Sequence, residues 1–252
     1  MRQRLVGLIV SVGLAAGALL LLAASVQAAP LRQAPAAPAA GVTFTTTTAF
    51  DTPDKTLGDG LCQDAALNCS LRAAVQEIDA LGNPTNTINL PAPAYVLTDT
   101  SAGDLNLSRN LTINGHFFFS GIQITTTLIQ GGPGWHARIA RVLNGATVAL
   151  NYLTLSGGNL PAGNGGGLYV VSGTLQLLNT SLISNTAGHG GGLYNLGKLS
   201  AIGGSIAANH ALTDGVLQEN LQRVVVVVRG EKPDHPVRRQ WREIERAKDV
   251  CE

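Results

Sequence analysis

The sequence has few charged and few aromatic residues for its length. Only 13% of its 252 residues are charged and 4% are aromatic, while 45% are hydrophobic and 30 are glycine. The charged fraction is about half that of an average globular protein. The formal net charge of +1 produces no strong field, so we expect no nucleic-acid partner and no electrostatic attraction to an anionic membrane.

Acidic side chains are missing from the middle of the chain. No Asp or Glu occurs between Asp104 and Asp214. Glycoside hydrolysis needs two positioned carboxylates, and a calcium-dependent polysaccharide lyase needs carboxylates for its metal and an Arg or Lys as base. We therefore predict no catalytic residue, and a protein that is not an enzyme is favoured.

Cysteine is also scarce, with three residues at positions 62, 69 and 251. The short segment around Cys62 and Cys69 offers too few soft ligands for a four-coordinate zinc site. In an exported chain a disulfide between these two is permitted, and it would remove about 2 to 3 kcal/mol of unfolded-state entropy. We predict this disulfide, which leaves Cys251 over.

The N-terminus has the pattern of a secretory signal peptide. Arg2 and Arg4 precede an apolar run at 5–24, and small residues follow up to Ala28. Residues 1–28 are therefore predicted to be a signal peptide, with an uncleaved membrane anchor as the alternative. Residues 29–41, rich in proline and alanine, are expected to form a linker. The protein is expected to be secreted or at the cell surface, and to contact a membrane only through an uncleaved signal segment.

An internal repeat dominates the rest of the chain. The sequence GGGLY at 165–169 recurs at 190–194, a shift of 25 positions, and residues 173–187 recur at 197–211, a shift of 24. Within each copy, short apolar alternations of period two are separated by Gly, Asn, Ser and Thr, which indicates strands. A repeat of this length with this pattern predicts one coil of a parallel β-helix.

Stacked coils place equivalent residues in vertical register. We expect these pairs: Leu175 with Leu199 and Leu182 with Ile206 in the interior, and Asn185 with Asn209 in an asparagine ladder at a turn. A weaker copy at 145–159 puts Val148 and Leu150 where Leu175 and Leu177 stand in the next copy. Further strand candidates lie upstream, at 87–90, 95–97, 105–107, 111–113 and 122–124.

A short amphipathic helix is predicted before the first coils. Ser70 precedes apolar residues at helical spacing from Leu71 to Leu81, and Gly82 and Pro84 end the pattern. Such a helix can cover the open end of a β-helix core.

The segment around this helix resembles a known family. Cys62, then CSLRAAV at 69–75, NTINL at 86–90 and YVL at 95–97 resemble the CSLREA-motif domain of exported bacterial β-helix proteins, although Ala73 stands where that motif has Glu. GGGLY and the segments 182–185 and 206–209 are similar to the repeats of polymorphic outer-membrane proteins, which implies a pectate-lyase-like fold. These resemblances cover residues 42–211 and imply a surface or extracellular setting, but they transfer no catalytic residue.

The predicted fold class is all-β: a right-handed parallel β-helix solenoid with a short N-terminal capping helix. Beyond the signal peptide and linker, the expected segments are an N-terminal cap with the first coils at 42–104, β-helix repeats at 105–215 and an atypical charged tail at 216–252. Neither the apolar run at 224–228 nor the tail's polar segment at 237–250 is expected to continue the repeat. The tail is either a cap or the product of a shifted or cut reading frame.

Two tyrosines are the candidate binding residues. Tyr169 and Tyr194 occupy equivalent repeat positions, so they form either an exposed ladder for a sugar ring or an aromatic stack packed in the core or at an edge. Four basic residues of the coils are interpreted as solvated turn residues: Arg109, Arg138, Arg141 and Lys198.

No metal site or cofactor is predicted. His189 and His210 are 21 positions apart, so they do not stack on a coil of 24 or 25. Four aspartates around Cys62 could suggest a calcium loop, but turn formation explains them better: Asp51, Asp54, Asp59 and Asp64.

These features favour a noncatalytic exported β-helix for surface adhesion, glycan contact or envelope structure. Its expected partner is an extracellular glycan or a cell-envelope component. The alternatives are an extracellular polysaccharide lyase or hydrolase, suggested by fold analogy alone, and a truncated fragment without activity.

Overall fold

The computed structural model describes residues 40–120, 123–214, 217–219 and 224–226. Most of these residues are in short strands, and one helix, α1 (Leu71–Leu81), lies among them. The predicted signal peptide, all of the linker except its last two residues, and Cys251 lie outside the described residues.

The strands follow one another in chain order. The first seven are β1 (Val42–Thr45), β2 (Asn86–Asn89), β3 (Ala94–Leu97), β4 (Leu105–Leu107), β5 (Leu111–Asn114), β6 (Phe117–Ser120) and β7 (Gln123–Gly131). The next seven are β8 (Ala140–Val142), β9 (Thr147–Asn151), β10 (Leu153–Ser156), β11 (Asn159–Asn164), β12 (Leu168–Val170), β13 (Thr174–Leu178) and β14 (Ser181–Ile183). The last seven are β15 (Thr186–His189), β16 (Leu193–Asn195), β17 (Lys198–Ile202), β18 (Ile206–Ala207), β19 (His210–Asp214), β20 (Leu217–Glu219) and β21 (Val224–Val226).

The strands pair in four sheets. Sheet 1 has the order β1-β2-β5-β9-β13-β17-β21, sheet 2 the order β3-β7-β10-β14-β18, sheet 3 the order β11-β15-β19, and sheet 4 the order β4-β8-β12-β16-β20. All pairings within these orders are parallel, and β6 adds an antiparallel hairpin to β7. The prediction of an all-β chain with parallel strands is confirmed.

The chain visits the sheets in a fixed cycle. From β9 in sheet 1 it passes to β10 in sheet 2, β11 in sheet 3 and β12 in sheet 4, and β13 then returns to sheet 1. The next cycle, from β13 to β17, follows the same sequence of sheets. Strands on both sides of the expected boundary at residue 104 belong to the same sheets, because β2 pairs with β5 and β3 with β7.

The predicted register is confirmed pair by pair. Leu175 lies between Val148 and Leu199 in sheet 1, and Leu182 pairs with Ile206 in sheet 2. Alternate residues along the strands are buried and join one hydrophobic cluster, as expected for strands with one face on a core.

Two asparagine ladders run across the strands. The predicted pair is present, since Asn185 Nδ2 donates to Asn209 Oδ1 over 3.0 Å. A second ladder was not predicted. Asn114 donates to Asn89 over 3.0 Å and Asn151 donates to Asn114 over 2.9 Å, at the C-terminal ends of neighbouring strands of sheet 1. These amides satisfy one another where the backbone turns out of a sheet.

The glycine triplets allow close approach between successive cycles of strands. Gly165 and Gly190 adopt φ of 66° and 56°, in the left-handed region that glycine enters without steric cost. A Cβ on Gly167 would lie 3.0 Å from the Asn185 amide nitrogen. The repeated GGG therefore reflects the tight corner before sheet 4 rather than a ligand site.

Helix α1 begins and ends as predicted. Ser70 is its N-cap and accepts a hydrogen bond from Ala73 N over 2.9 Å, and Gly82 ends it with φ of 68°. Its buried face includes Leu71, Val75 and Ile78, which belong to the same hydrophobic cluster as the strands.

The tail differs from the prediction in one respect. Strand β21 pairs with β17 in sheet 1 and β20 pairs with β16 in sheet 4, so residues at 217–219 and 224–226 do continue the sheets. Strand pairing uses backbone groups and needs no repeat consensus, and a run of valines suits a strand. The prediction for the polar segment at 237–250 lies outside the described residues.

Candidate functional site

The outer face of sheet 4 carries a row of large polar and aromatic side chains. Asn106 pairs with Arg141, Arg141 with Tyr169, and Tyr169 with Tyr194, each on the next strand. We call these four residues the tyrosine strip. Tyr169 is half-buried between the fully buried Leu168 and Val170, so the strip faces outward and the two tyrosines are not packed in the core.

The two tyrosine rings meet edge to face. Their centroids are 5.3 Å apart and their planes are inclined by 79°, which is a favourable aromatic geometry. The Arg138 guanidinium lies 5.2 Å from the Tyr169 ring centroid, as in a cation–π contact, and the His189 ring lies 6.5 Å from that of Tyr194. The rings therefore form a ladder by register but not a parallel stack.

Asp104 binds two arginines: Arg141, which belongs to the strip, and Arg138, which lies next to it. Its carboxylate Oδ2 accepts from Arg138 Nη1 over 2.8 Å and lies 3.4 Å from Arg141 Nε. Arg141 Nε also donates to the Asn106 side-chain oxygen. The interpretation of Arg138 and Arg141 as solvated turn residues is therefore wrong. The pairing partner is more than 30 positions away, which sequence proximity does not reveal.

The Arg141 side chain remains available to solvent. It is 37% exposed, against 12% for Arg138 and 14% for Asp104. A guanidinium that is held at one edge and open at the other can donate hydrogen bonds to an oxygen-rich ligand. The other two predicted solvated residues, Arg109 and Lys198, are both exposed, and Arg109 Nε also donates to the Asp79 carbonyl oxygen over 3.4 Å.

A cleft of about 300 Å³ lies beside the strip, between α1 and β4. We call it the α1–β4 cleft. It is lined by side chains from the helix, from strand β4 and from the loops before them: Leu57, Arg72, Val75, Gln76, Asp79, Ala80, Ala102, Asp104, Leu105 and Asn106. Asp104 and Asn106 line the cleft and also contact Arg141 of the strip.

Asp79 is the carboxyl of this cleft whose protonation is most affected by its surroundings. Burial raises the pKa of Asp79 above its ordinary value of 3.8, and this effect outweighs the hydrogen bonds from Ser108 and the charge of Arg109, which lower it. Desolvation disfavours the charged form of a carboxyl. Asp79 therefore accepts a proton more readily than an exposed aspartate.

Three of the aspartates around Cys62, namely Asp54, Asp59 and Asp64, hold loop backbone as the turn interpretation predicts. The interpretation is wrong for Asp51, whose carboxylate pairs with Arg72. Asp54 accepts from Thr56 N over 2.8 Å, and Asp64 accepts from Ala66 N and Asn68 N over 2.8 and 2.9 Å. For Asp64, burial raises the pKa, but hydrogen bonds from Thr52, Asn68 and Ala66 outweigh it and the net pKa is lowered. Within the described part of the chain, no group of three or more His, Cys, Asp or Glu residues is placed to hold a metal ion.

The predicted disulfide is present. Cys62 and Cys69 are bonded, with their Cα atoms 5.0 Å apart, and both are buried. The bridge closes the loop that Asp64 organises, directly before the helix that walls the α1–β4 cleft.

The roles of three buried charged residues near the helix escaped the sequence analysis. Arg72 and Asp51 form a two-point ion pair of 2.6 and 3.0 Å, with side chains 3% and 1% exposed. Glu77 is fully buried and accepts from Gly58 N and Gly60 N, each over 2.5 Å. These contacts fix the loop at 51–60 against α1, so that Leu57 from this loop reaches the cleft.

The residues at 40–120, 123–214, 217–219 and 224–226 include no helix long and apolar enough to cross a bilayer. No family model, curated protein or solved structure matches this chain. Its function is therefore inferred from the residues of the tyrosine strip and the α1–β4 cleft.

The sequence signal for this site was partial. The tyrosines were found because GGGLY repeats, and their equivalence predicts their register. Asp104, Arg138 and Arg141 come together because β4 and β8 are paired, and no repeat marks them. The sequence offers one sign of this cluster: Asp104 is the last acidic residue before a long stretch that contains no Asp or Glu.

Proposed function

We propose that this protein is an exported right-handed parallel β-helix that binds an extracellular glycan through its tyrosine strip and does not catalyse a reaction. The cyclic passage through parallel sheets supports the β-helix, and parallel crossovers are right-handed in almost all proteins. The signal-peptide pattern and the resemblance to CSLREA-motif domains support export and an extracellular or cell-surface setting.

The observation that carries the proposal is the outward row of Tyr169, Tyr194 and Arg141 in register on sheet 4. Aromatic rings bind the apolar faces of sugar rings, and guanidinium and amide groups donate hydrogen bonds to sugar hydroxyls. A strip on rigid paired strands holds these groups at fixed spacing, which reduces the ordering cost of binding.

The strip contains no arrangement suited to hydrolysis or elimination. Its nearest carboxylate, Asp104, is engaged by Arg138 and Arg141. An enzyme on extracellular polysaccharide remains the rival hypothesis. Incubation of the protein with the glycan that it binds distinguishes the two, because a lyase releases unsaturated sugars and a hydrolase releases new reducing ends.

The binding proposal is tested with a glycan array followed by titration calorimetry of the strongest ligand. Replacing Tyr194 by Ala is expected to weaken binding by about 1 kcal/mol, roughly fivefold. The matched control is Tyr152→Ala, a half-buried tyrosine in the turn between β9 and β10, which should bind like the wild type. Equal losses in both variants, or no ligand among neutral and acidic glycans, would contradict the proposal.

A further inference from the structure

The tyrosine strip runs into the α1–β4 cleft at one end of sheet 4. Strand β4 is the terminal strand of that sheet, and its Asn106 is the last residue of the strip. Helix α1 packs against β4 and supplies one wall of the cleft. A chain lying along the strip therefore meets the helix at this end instead of continuing over more strands.

The strip and the cleft are joined by Asn106, which belongs to both, and by Asp104. Asp104 lines the cleft and binds Arg138 and Arg141, and Asn106 lines the cleft and accepts a hydrogen bond from Arg141. A ligand group in the cleft and a ligand group on the strip would thus contact the same side-chain network. From Tyr194 to Asn106 there are three strand spacings, or about 14 Å at the usual distance between paired strands.

The lining of the cleft suits an uncharged, hydroxyl-bearing ligand. Gln76, Asp79 and Asn106 offer amide and carboxyl groups, while Val75 and Leu105 offer apolar surface. The charges that line it are largely compensated, since Arg72 is paired with Asp51 and Asp104 with two arginines. Its volume of about 300 Å³ lies at the lower end of the range for small-molecule sites.

We propose that the α1–β4 cleft receives the terminal unit of a neutral glycan whose following units lie along the tyrosine strip, so that the protein binds chain ends and not chain interiors. This inference rests on the proposed glycan-binding function. It adds a second contact region and a specificity that the strip alone would not have.

The first experiment compares inhibitors of different chain length. Binding of the protein to an immobilised oligosaccharide identified on the array is inhibited with the free oligosaccharide and with the soluble polysaccharide of the same repeat. End binding predicts equal half-inhibition concentrations when these are expressed per chain end. Equal values per sugar unit would show binding to chain interiors and would overturn the inference while leaving the proposed function standing.

The second experiment fills the cleft. Ala102 is exposed and lines the cleft, so Ala102→Trp is expected to weaken binding of the oligosaccharide at least tenfold. The matched control is Ala65→Trp, at an exposed turn position outside the cleft lining, which should leave binding and the thermal midpoint unchanged.

Unchanged binding by a folded Ala102→Trp variant would overturn the inference. If that variant does not fold, the comparison of chain lengths decides by itself, because it uses the wild-type chain. If no glycan binds to the wild type, the proposed function and the inference both fail.

Discussion

At the scale of single residues, the most consequential side chains are charged groups that lie inside the protein. Asp51 accepts hydrogen bonds from Arg72, Thr98 N and Asp99 N. It therefore joins the helix to the segment that follows β3. A buried charge is tolerated only when it is paired and fully hydrogen-bonded.

Replacing Asp51 by Asn should lower the free energy of unfolding by about 3 to 5 kcal/mol, because the buried Arg72 loses its counter-charge. The double variant Asp51→Asn/Arg72→Met should be less destabilised than the single one, since it no longer buries an unpaired cation. Urea unfolding followed by circular dichroism measures both. The control Asp59→Asn, at an exposed turn, should cost little, and an equal cost for both single variants would contradict this account.

Asp79 should give the protein a characteristic pH dependence. Its pKa is raised in the folded state above 3.8 by burial, so the folded protein binds this proton more tightly than the unfolded chain. The contribution of Asp79 to stability is therefore present below 3.8 and is lost as pH rises through the raised value. Asp79→Asn removes this loss, because the amide stays neutral at every pH.

The thermal midpoint of Asp79→Asn minus that of the wild type should consequently be more positive at pH 7 than at pH 3. Thermal unfolding at both values checks this expectation. Asp99 has a pKa that is lowered chiefly by hydrogen bonds from Ser101 and Ala102, so Asp99→Asn should shift the midpoint in the opposite sense. A pH-independent difference for Asp79→Asn would show that its carboxyl is not desolvated.

At the scale of elements, the start of helix α1 is fixed by three separate interactions. Ser70 caps its N-terminus and donates to Thr52 O over 2.5 Å, Arg72 pairs with Asp51, and the disulfide closes the loop directly before it. The helix and its loop together form one wall of the α1–β4 cleft. Loss of one of these interactions should therefore make the wall of the cleft more mobile before it disturbs the sheets.

The double variant Cys62→Ala/Cys69→Ala should be destabilised by about 2.5 kcal/mol, the chain-entropy value for a loop of this length. Adding dithiothreitol to the wild type should lower its urea midpoint to that of the variant. The variant itself should not respond to the reductant, which serves as the internal control. An unchanged midpoint on reduction would mean that the loop is held by its hydrogen bonds alone.

At the scale of the whole molecule, successive cycles of strands are equivalent units. From β9 onward, each cycle adds one strand to each of the four sheets, and like residues stack, as Leu168 stacks on Leu193 and Tyr169 on Tyr194. In such repeating structures stability is close to the sum of the units and of the contacts between neighbours. Removing a whole unit should therefore leave a foldable chain.

Deletion of residues 168–192, a full repeat of 25, joins Gly167 directly to Leu193 and reproduces the GGGLY junction. The product should keep a β-type circular dichroism spectrum and unfold cooperatively at a lower temperature. Deletion of residues 168–179 is the control, because it removes β12 and β13 but keeps β14 and β15. It brings strands to the wrong sheets and should give an unfolded or aggregated protein. Equal behaviour of the two deletions would contradict the equivalence of the cycles.

Local pattern was sufficient for a large part of this structure. Period-two alternation predicted the strands, the spacing of the internal repeats predicted the register of Leu175 with Leu199, and Ser70 and Gly82 predicted the helix ends. Each of these depends on neighbours in sequence or on an internal copy of the same pattern. The valines of β21 have a β-prone sequence, but their pairing with β17 was not predicted, because strand pairing leaves no consensus in the paired sequence.

The sequence by itself determined the strand content, the stacking of equivalent residues, the disulfide partners and the repeat position of both tyrosines. Only the tertiary structure decided that these tyrosines face outward, that Asp104 joins two arginines beside them, and that a cleft opens between α1 and β4. Periodicity fixes which residues are equivalent along the chain, but the contacts between different sheets, loops and the helix depend on how the backbone turns between strands.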